Sequence, residues 1–350
     1  MRELYEKTLR ELHKNPEYTQ KLDAYLSIDR LRTLFISMMD VPLKTLRRLP
    51  VRFVGETLDS LIDFLISDDV PIKADDSRSI PLWKRPPCFV QNSKQPYIIP
   101  FLLPVRAPVV VIAPGGGYSN VSLEHEGIKM ARAFNAKGFH AVVLNYRVSP
   151  ARYPAPQLDL IRAIQITRSK ADEWNIIPDQ LALAGFSAGG HLCASTAALH
   201  KELAWQSGNL QHVDTSPNVL ILGYPQVDLC FRYMGLLSGI FLLNAAPVGD
   251  YRRLSSHNLV KEGYPPTFLW SEKDDPFVKV KENSDLLKKA LEREKIPHIY
   301  RLYEGDMHGS GLAEGRPAEV WFDEAVSFLR DSFGFAVDEG ADAKQPALQY

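Results

Sequence analysis

Cysteine is scarce in this chain. Three in 350 residues, Cys88, Cys193 and Cys230, are too few and too scattered for a disulfide framework. No CxxC spacing suggests a zinc site, and the set fits a reducing compartment. An excess of charge of one sign is lacking as well, since 41 Lys and Arg stand against 42 Asp and Glu, a net charge of −1. Such a chain has no global field to draw in nucleic acid or an anionic membrane, so neither is an expected partner. Long apolar runs are missing too. The longest, around Leu236 to Pro247, is interrupted by Ser238, Gly239 and Asn244 and is too short to span a bilayer. The first residues, Met1-Arg2-Glu3-Leu4-Tyr5-Glu6-Lys7, mix charges and contain no apolar h-region. No secretion signal is expected from them, and the expected compartment is the cytoplasm.

What is present is ordinary for a protein that buries a core: 45% hydrophobic and 24% charged residues. The length suits one large α/β domain with an appendage, or two ordinary domains. Residues 1–75 read as an N-terminal helical extension. Glycine is nearly absent there, and Leu4, Leu9, Leu12 and then Tyr25, Leu31, Leu34, Phe35, Met38 recur at roughly helical spacing. Thr57 to Leu65 is a short amphipathic helix with Thr57 as its cap, and Pro42 and Pro50 mark helix boundaries. A polar, proline-bearing stretch from Ser67 to Pro81 reads as the linker.

From about residue 97 the texture changes. Val109–Ala113, Ala141–Tyr146, Leu181–Ala184, Val219–Tyr224, Thr267–Trp270 and His298–Tyr303 are short apolar runs separated by helical patterns. Runs that are apolar throughout mark strands buried on both faces, so a parallel sheet covered by helices on both sides is expected. Residues 76–335 are taken as this α/β catalytic domain, and residues 336–350 as a polar, flexible tail.

Gly185-Phe186-Ser187-Ala188-Gly189-Gly190 follows one of these strands and precedes the Ala/Leu-rich helical stretch His191 to Leu199. Gly-x-Ser-x-Gly in that context places the serine on a strained strand-to-helix turn with its hydroxyl lifted clear of the sheet. The flanking positions must lack side chains, because neighbouring backbone passes close by. Ser187 is the candidate nucleophile.

A serine hydroxyl needs a base to take its proton, and the base needs a carboxylate to hold it. In this arrangement the chain order is Ser, Asp or Glu, His, each at a strand's C-terminal end. Six histidines follow Ser187: His191, His200, His212, His257, His298 and His308. His191 and His200 lie on the helix after the serine, and His298 opens a strand. His308 sits in a glycine-flanked loop after a strand, Tyr303-Glu304-Gly305-Asp306-Met307-His308-Gly309, and is the expected base. For the acid, Glu272, Asp274 and Asp275 all close the Thr267 strand. Asp275 is preferred because Pro276 fixes the turn after it, with Asp274 as the alternative and Glu272 read as a solvated loop charge. Asp306 is read as a loop residue.

Pro114-Gly115-Gly116-Gly117-Tyr118 ends the Val109 strand. Successive glycines leave a backbone path that can aim N–H groups at a developing oxyanion. The expected donors are Gly116, Gly117 and Ala188, each contributing about 3 kcal/mol to the transition state. The rival reading, a phosphate-binding loop, lacks both a following Lys-Ser/Thr and a GxGxxG register. Tyr118 and Glu126 follow the loop and are candidates to line the alcohol side of a substrate, with a structural role as the alternative. No metal or other cofactor is expected.

With these loops in place, residues 86–335 or so resemble the acetyl esterase/lipase group of α/β hydrolases, and within it the acetyl xylan and feruloyl esterases. The stretches that carry the resemblance are Ala113–Tyr118, Leu144–Val148, Gly185–His191, Pro265–Trp270 and Met307-His308-Gly309. In the related hormone-sensitive-lipase group a histidine begins the glycine loop, whereas here Pro114 holds that place. The resemblance implies an α/β-hydrolase fold and ester chemistry, with Ser187, Asp275 and His308 in the roles argued above. It also implies that Arg147 and Asp159 form a structural pair. For substrate it implies small or carbohydrate esters such as acetylated xylo-oligosaccharides.

Residues 230–249 lie where this fold often inserts a lid, and they are a candidate lid or acyl-pocket wall, with a core helix as the alternative. The expected activity is that of a carboxylesterase. A serine peptidase or acyltransferase with the same triad is the main competitor, although no propeller-like repeat accompanies the domain. A binding protein on an inactive scaffold is disfavoured because every catalytic position is filled. A homo-oligomer is compatible with the sequence.

Overall fold

The structure, a computed structural model, describes residues 78–334 except 85, 87–94, 207, 231–233 and 244–245, together with Lys7, Glu11, Leu12 and Lys14. The helices expected before residue 75 and the tail after 336 lie outside the described residues. The chain divides into two compact units, Met1–Ser77 and Arg78–Tyr350, and the fold that follows is that of the second.

Eight strands form one sheet among the described residues: β1 (Ile80–Pro81), β2 (Tyr97–Phe101), β3 (Ala107–Ala113), β4 (His140–Asn145), β5 (Ile176–Phe186), β6 (Val219–Gly223), β7 (Thr267–Glu272) and β8 (His298–Tyr303). Their order is β1-β2-β4-β3-β5-β6-β7-β8. The two pairings that involve β2 are antiparallel and every other pairing is parallel. Six strands are those legible as apolar runs. The other two escaped because β2 carries Pro100 in its middle and β1 is two residues at the end of the stretch read as linker.

Alternation along the strands supplies two separate cores, as a period of two requires. Val109, Val111, Val142, Leu144, Leu183 and Leu222 pack with α2 (Ala155–Ser169), α3 (Ala188–Leu203) and α6 (Ser284–Arg293). The opposite face meets α1 (Lys129–Ala136) and α7 (Trp321–Phe333) through aromatics. Trp321 stacks on Trp270 at 4.8 Å, Phe134 meets Phe322 at 5.0 Å, and Phe328 meets Phe268 at 6.1 Å. Gly334, in the left-handed conformation at φ 61°, ends α7. Two further helices, α4 (Met234–Leu243) and α5 (Val248–Leu254), connect β6 to β7. Within the candidate lid segment, Leu242 is fully buried and its carbonyl accepts from the Tyr153 N–H at 2.8 Å, so the end of α4 is tied to the domain. Among the described residues no helix is long and apolar enough to cross a membrane.

Candidate active site

Parallel strands place their C-terminal ends on one edge of the sheet, and the loops leaving β3, β5, β6, β7 and β8 all emerge there. Ser187 follows β5 directly, at φ 52° and ψ −119°, a conformation that a non-glycine residue adopts only under constraint. The constraint is visible. The Ser187 N–H donates to the Gly223 carbonyl at 3.1 Å, and the Ser187 carbonyl accepts from Gln226 at 3.0 Å and from His191 at 3.2 Å. Position 189 admits no side chain, since a Cβ there would lie 2.0 Å from the Ala113 carbonyl oxygen. The glycine expected on steric grounds is therefore needed where β5 hands over to α3.

His308 lies in the loop after β8. Its Nε2 accepts from the Ser187 hydroxyl at 2.8 Å, and its Nδ1–H donates to Asp275 Oδ2 at 2.7 Å. Asp275 is 1% exposed, and its other oxygen accepts the N–H groups of Phe277 at 2.8 Å and Val278 at 2.9 Å, which lock the turn that Pro276 begins. The imidazole is boxed by the Tyr224 ring at 5.1 Å and the Phe277 ring at 6.1 Å. Burial works against a charged imidazole. The Asp275 carboxylate, with Glu126 and Glu272 beyond it, outweighs that penalty and holds the His308 pKa above its ordinary value.

The structure thus brings Ser187, His308 and Asp275 together and leaves Asp274 outside, its side chain exposed. Glu272 corrects the expectation of a solvated charge. It is fully buried at the end of β7, where it accepts the Met307 N–H at 2.9 Å and pairs with Arg316 at 2.9 Å. It is a brace beneath the histidine loop, and Arg316 also reaches Asp306 at 3.2 Å. Sequence offered no way to tell this carboxylate from its neighbours, because its partner is 44 residues away.

For Tyr118 and Glu126, the two candidates for the alcohol side, burial of both residues favours the structural alternative. Tyr118 is 1% exposed, and its hydroxyl donates to His191 Nδ1 at 2.7 Å. The other ring nitrogen of His191 donates to the Leu254 carbonyl at 2.8 Å, which fixes the tautomer. Burial lowers the His191 pKa to about 4, so this ring is neutral. Glu126 is 4% exposed and accepts from the Gly115 N–H at 2.8 Å and the Tyr224 hydroxyl at 2.7 Å. The glycine loop is held from other directions by Tyr146, whose hydroxyl donates to the Pro114 carbonyl, and by a turn in which the Gly116 carbonyl accepts from Ser119 and Asn120. Gly116 itself sits at φ 130° with a Cβ position 2.3 Å from the Asn120 oxygen, so only glycine fits. Among the described residues, the N–H groups of Gly116, Gly117 and Ala188 donate to no protein acceptor.

Arg147 and Asp159 form the structural pair that the family resemblance implied. Both side chains are fully buried; Nη2 stands 2.7 Å and Nε 2.8 Å from the carboxylate, which also accepts Trp83 Nε1–H at 2.8 Å. Burial pushes the Asp159 carboxyl up, and the donors around it pull the other way. Among the described residues no cluster of His, Cys, Asp and Glu is arranged to hold a metal ion.

The chain is 33% identical over 224 residues to endo-1,4-beta-xylanase B of Butyrivibrio fibrisolvens, covering 62% of this chain and 34% of that protein. It is 29% identical over 226 residues to an acetylxylan esterase of Xylanibacter ruminicola, covering 63% of this chain and 44% of that one. It therefore spans between a third and a half of the length of these relatives. Among solved structures, the acetyl ester-xyloside bifunctional hydrolase of Caldicellulosiruptor lactoaceticus superposes with a TM-score of 0.67 at 33% identity, covering 74% of this chain and 97% of that one. MGS-M1, an α/β hydrolase from a deep-sea metagenome library, does so with a TM-score of 0.56 at 25% identity, covering 73% and 97%. The BD-FAE family matches residues 103–291, more than half of the sequence. With that match, the sheet order and the loops gathered at its C-terminal edge, this chain is an α/β-hydrolase-fold protein of the BD-FAE family.

Proposed function

We propose that the chain is a serine carboxylic ester hydrolase that works through an acyl-enzyme on Ser187. The observation that carries this reading is the continuous relay Ser187–His308–Asp275, with hydrogen bonds of 2.8 and 2.7 Å, on a strained turn at the sheet edge. His308 takes the hydroxyl proton as Ser187 Oγ attacks the ester carbonyl carbon, and Asp275 stabilises the imidazolium that forms. The carbonyl oxygen becomes an oxyanion, for which the N–H groups of Gly116, Gly117 and Ala188 are the donors. The tetrahedral species collapses as His308 returns its proton to the leaving alcohol. Water, deprotonated by the same histidine, then attacks the acyl-serine, and His308 returns that proton to Ser187 Oγ as the acyl–oxygen bond breaks and the acid leaves.

Acetylated xylo-oligosaccharides lead the substrate choice, supported by relatives named for acetylxylan esterase and acetyl ester-xyloside hydrolysis. A fluorophosphonate probe should label the wild type and spare Ser187→Ala, and equal labelling of the two would sink the nucleophile assignment. p-Nitrophenyl esters of increasing chain length, run beside acetylated xylo-oligosaccharides and methyl ferulate, then rank the acyl groups. Acetyl release from the oligosaccharides no better than from p-nitrophenyl acetate would remove them as the substrate class.

A further inference from the structure

We propose that Glu126 is a positioning residue for this reaction, joining the glycine loop and the histidine loop through one buried carboxylate so that oxyanion donors and base keep their relative placement. The inference rests on the esterase reading and adds to it a residue that touches neither substrate nor the reacting atoms.

Glu126 lies in a six-residue π-helix, Leu123–Ile128, a rare geometry that recurs at functional sites. Its Oε2 accepts the Gly115 N–H at 2.8 Å, and its Oε1 accepts the Tyr224 hydroxyl at 2.7 Å. The same hydroxyl oxygen accepts the Gly311 N–H at 3.0 Å, three residues beyond His308. The neighbouring His125 brings Nε2 to 3.0 Å from the Gly309 carbonyl. His125 thus holds the histidine loop directly at Gly309, and Glu126 holds it at Gly311 through the Tyr224 hydroxyl while also accepting from the first glycine of the oxyanion loop.

The fit is close. A Cβ on Gly115 would lie 2.7 Å from Glu126 Oε2, 2.9 Å from the Phe186 carbonyl and 3.0 Å from Ser187 Cβ. Carboxylate, glycine loop and nucleophile turn are therefore in direct contact. Among the described residues no Lys or Arg forms an ion pair with Glu126. A buried carboxylate without a cationic partner is costly to keep, and its field is spent on what surrounds it.

His308 lies within that field. The groups that face it are Ser187, Tyr224 from the loop after β6, Asp275 and Glu272 from the end of β7, and Glu126. Lys279 donates to the Asp275 carbonyl, and Arg316 pairs with Glu272. Glu126 favours the protonated imidazole, the form that His308 takes when it accepts the serine proton. Tyr224 stays a neutral donor, because burial and the Glu126 charge raise its pKa well above the ordinary value.

The test is Glu126→Gln. The two donors sit on opposite carboxylate oxygens, so a glutamine of the same size can accept from only one of them and turns its amide NH2 toward the other. The expected result is a kcat lower by about 10- to 100-fold with little change in KM, since displaced groups cost rate rather than binding. The His308 pKa, followed by NMR in a Ser187→Ala background, should fall relative to the parent. Glu126→Asp, which keeps the charge, should restore the pKa more than the rate. Tyr224→Phe keeps the charge as well and cuts the link to Gly311, so it should lower kcat while the His308 pKa stays near the parent's. Unchanged kcat and unchanged His308 pKa in Glu126→Gln would overturn the proposal, as would a change confined to KM. If Glu126→Gln does not fold, an unchanged kcat in Tyr224→Phe overturns it instead. Absence of Ser187-dependent hydrolysis in the wild type would bring down the esterase reading alone, because the NMR titration still decides whether Glu126 acts on His308.

Discussion

Two buried carboxylates in this domain each hold a basic side chain, and they do so to opposite ends. Asp159 is saturated. Arg147 approaches it with Nε and Nη2, and the Arg147 and Trp83 N–H groups take what remains of its accepting capacity. Neither side chain of that pair has any exposed surface. Asp275 is just as buried, but its partner His308 keeps 14% of its side-chain surface exposed and turns its second nitrogen to a serine. One pair is closed and permanently charged on the guanidinium side; the other is open at one end and carries a group that can exchange a proton near neutrality. What separates a structural ion pair from a chemical one is the unfilled direction and the partner's ability to titrate. Burial does not distinguish them.

The largest expected break in that comparison is Asp275→Asn. The amide leaves the turn nearly isosteric but cannot hold His308 in the tautomer that accepts a proton at Nε2. kcat on p-nitrophenyl acetate should fall by about 10⁴-fold while thermal stability changes little. A fall of less than tenfold would mean that another group orients the base.

The opposite pattern is expected from Arg147→Met. It strands Asp159 as an uncompensated buried charge, a change that typically costs about 3–5 kcal/mol. Urea unfolding should show the loss directly, with Tm lower by about 10 °C. The folded fraction should keep most of its specific activity. Replacing both members, Arg147→Met with Asp159→Leu, should recover much of the stability, since the deficit comes from the unpaired charge rather than from the missing bridge. No recovery in the double variant would show that the pair is worth more than a packed apolar replacement.

These two sites were not equally legible in the sequence. Ser187 and His308 were legible as candidates because backbone geometry favours glycine beside both, and glycine is visible in a sequence. The central parallel strands were legible for a similar reason: a strand buried on both faces has to be apolar throughout. β8, at the sheet edge and partly exposed along its length, corrects the expectation of burial on both faces. Antiparallel β2 was not legible, since Pro100 interrupts the run. Among the three carboxylates at the end of β7 and just beyond it, turn chemistry singled out Asp275 but said nothing of Glu272, which pairs with Arg316 from far along the chain. Glu126 and Tyr118 were legible as neighbours of the glycine loop, but the choice between the alcohol side and a structural role was not. Adjacency to a functional loop is readable in one dimension, whereas the direction in which a side chain points is decided by contacts such as Tyr224 and His191, about 70 to 100 residues away.

The comparison also predicts a pH dependence. His308 has a folded-state pKa above its ordinary value, so kcat/KM should rise with pH as the imidazolium loses its proton, with the midpoint above about 6.5. Stability runs the other way. The protonated ring contributes stability that is fully present below the unfolded pKa and is lost as pH rises through the folded value. In Asp275→Asn the main attractive charge is gone and burial remains, so the midpoint of the residual activity should move to lower pH. An unmoved midpoint would assign the limb to a different group.

The smallest effect should come from Asp274→Asn, next door to the largest. Asp274 carries the same chemistry one residue earlier, yet its side chain is exposed, and what the protein uses of it is the backbone N–H donated to the Gly305 carbonyl at 2.9 Å. That bond links the β7 loop to the histidine loop and survives any side-chain replacement. kcat/KM and stability should therefore stay near wild type, within about 0.5 kcal/mol, as for an ordinary surface change. If Asp274→Asn damaged kcat as Asp275→Asn is expected to, the two carboxylates would have to exchange places as His308 changes protonation. The turn that Phe277 and Val278 lock onto Asp275 leaves no room for that exchange without breaking both N–H bonds. Rates for the two variants, measured side by side, therefore report whether the relay depends on one fixed carboxylate or on the negative charge of the loop as a whole.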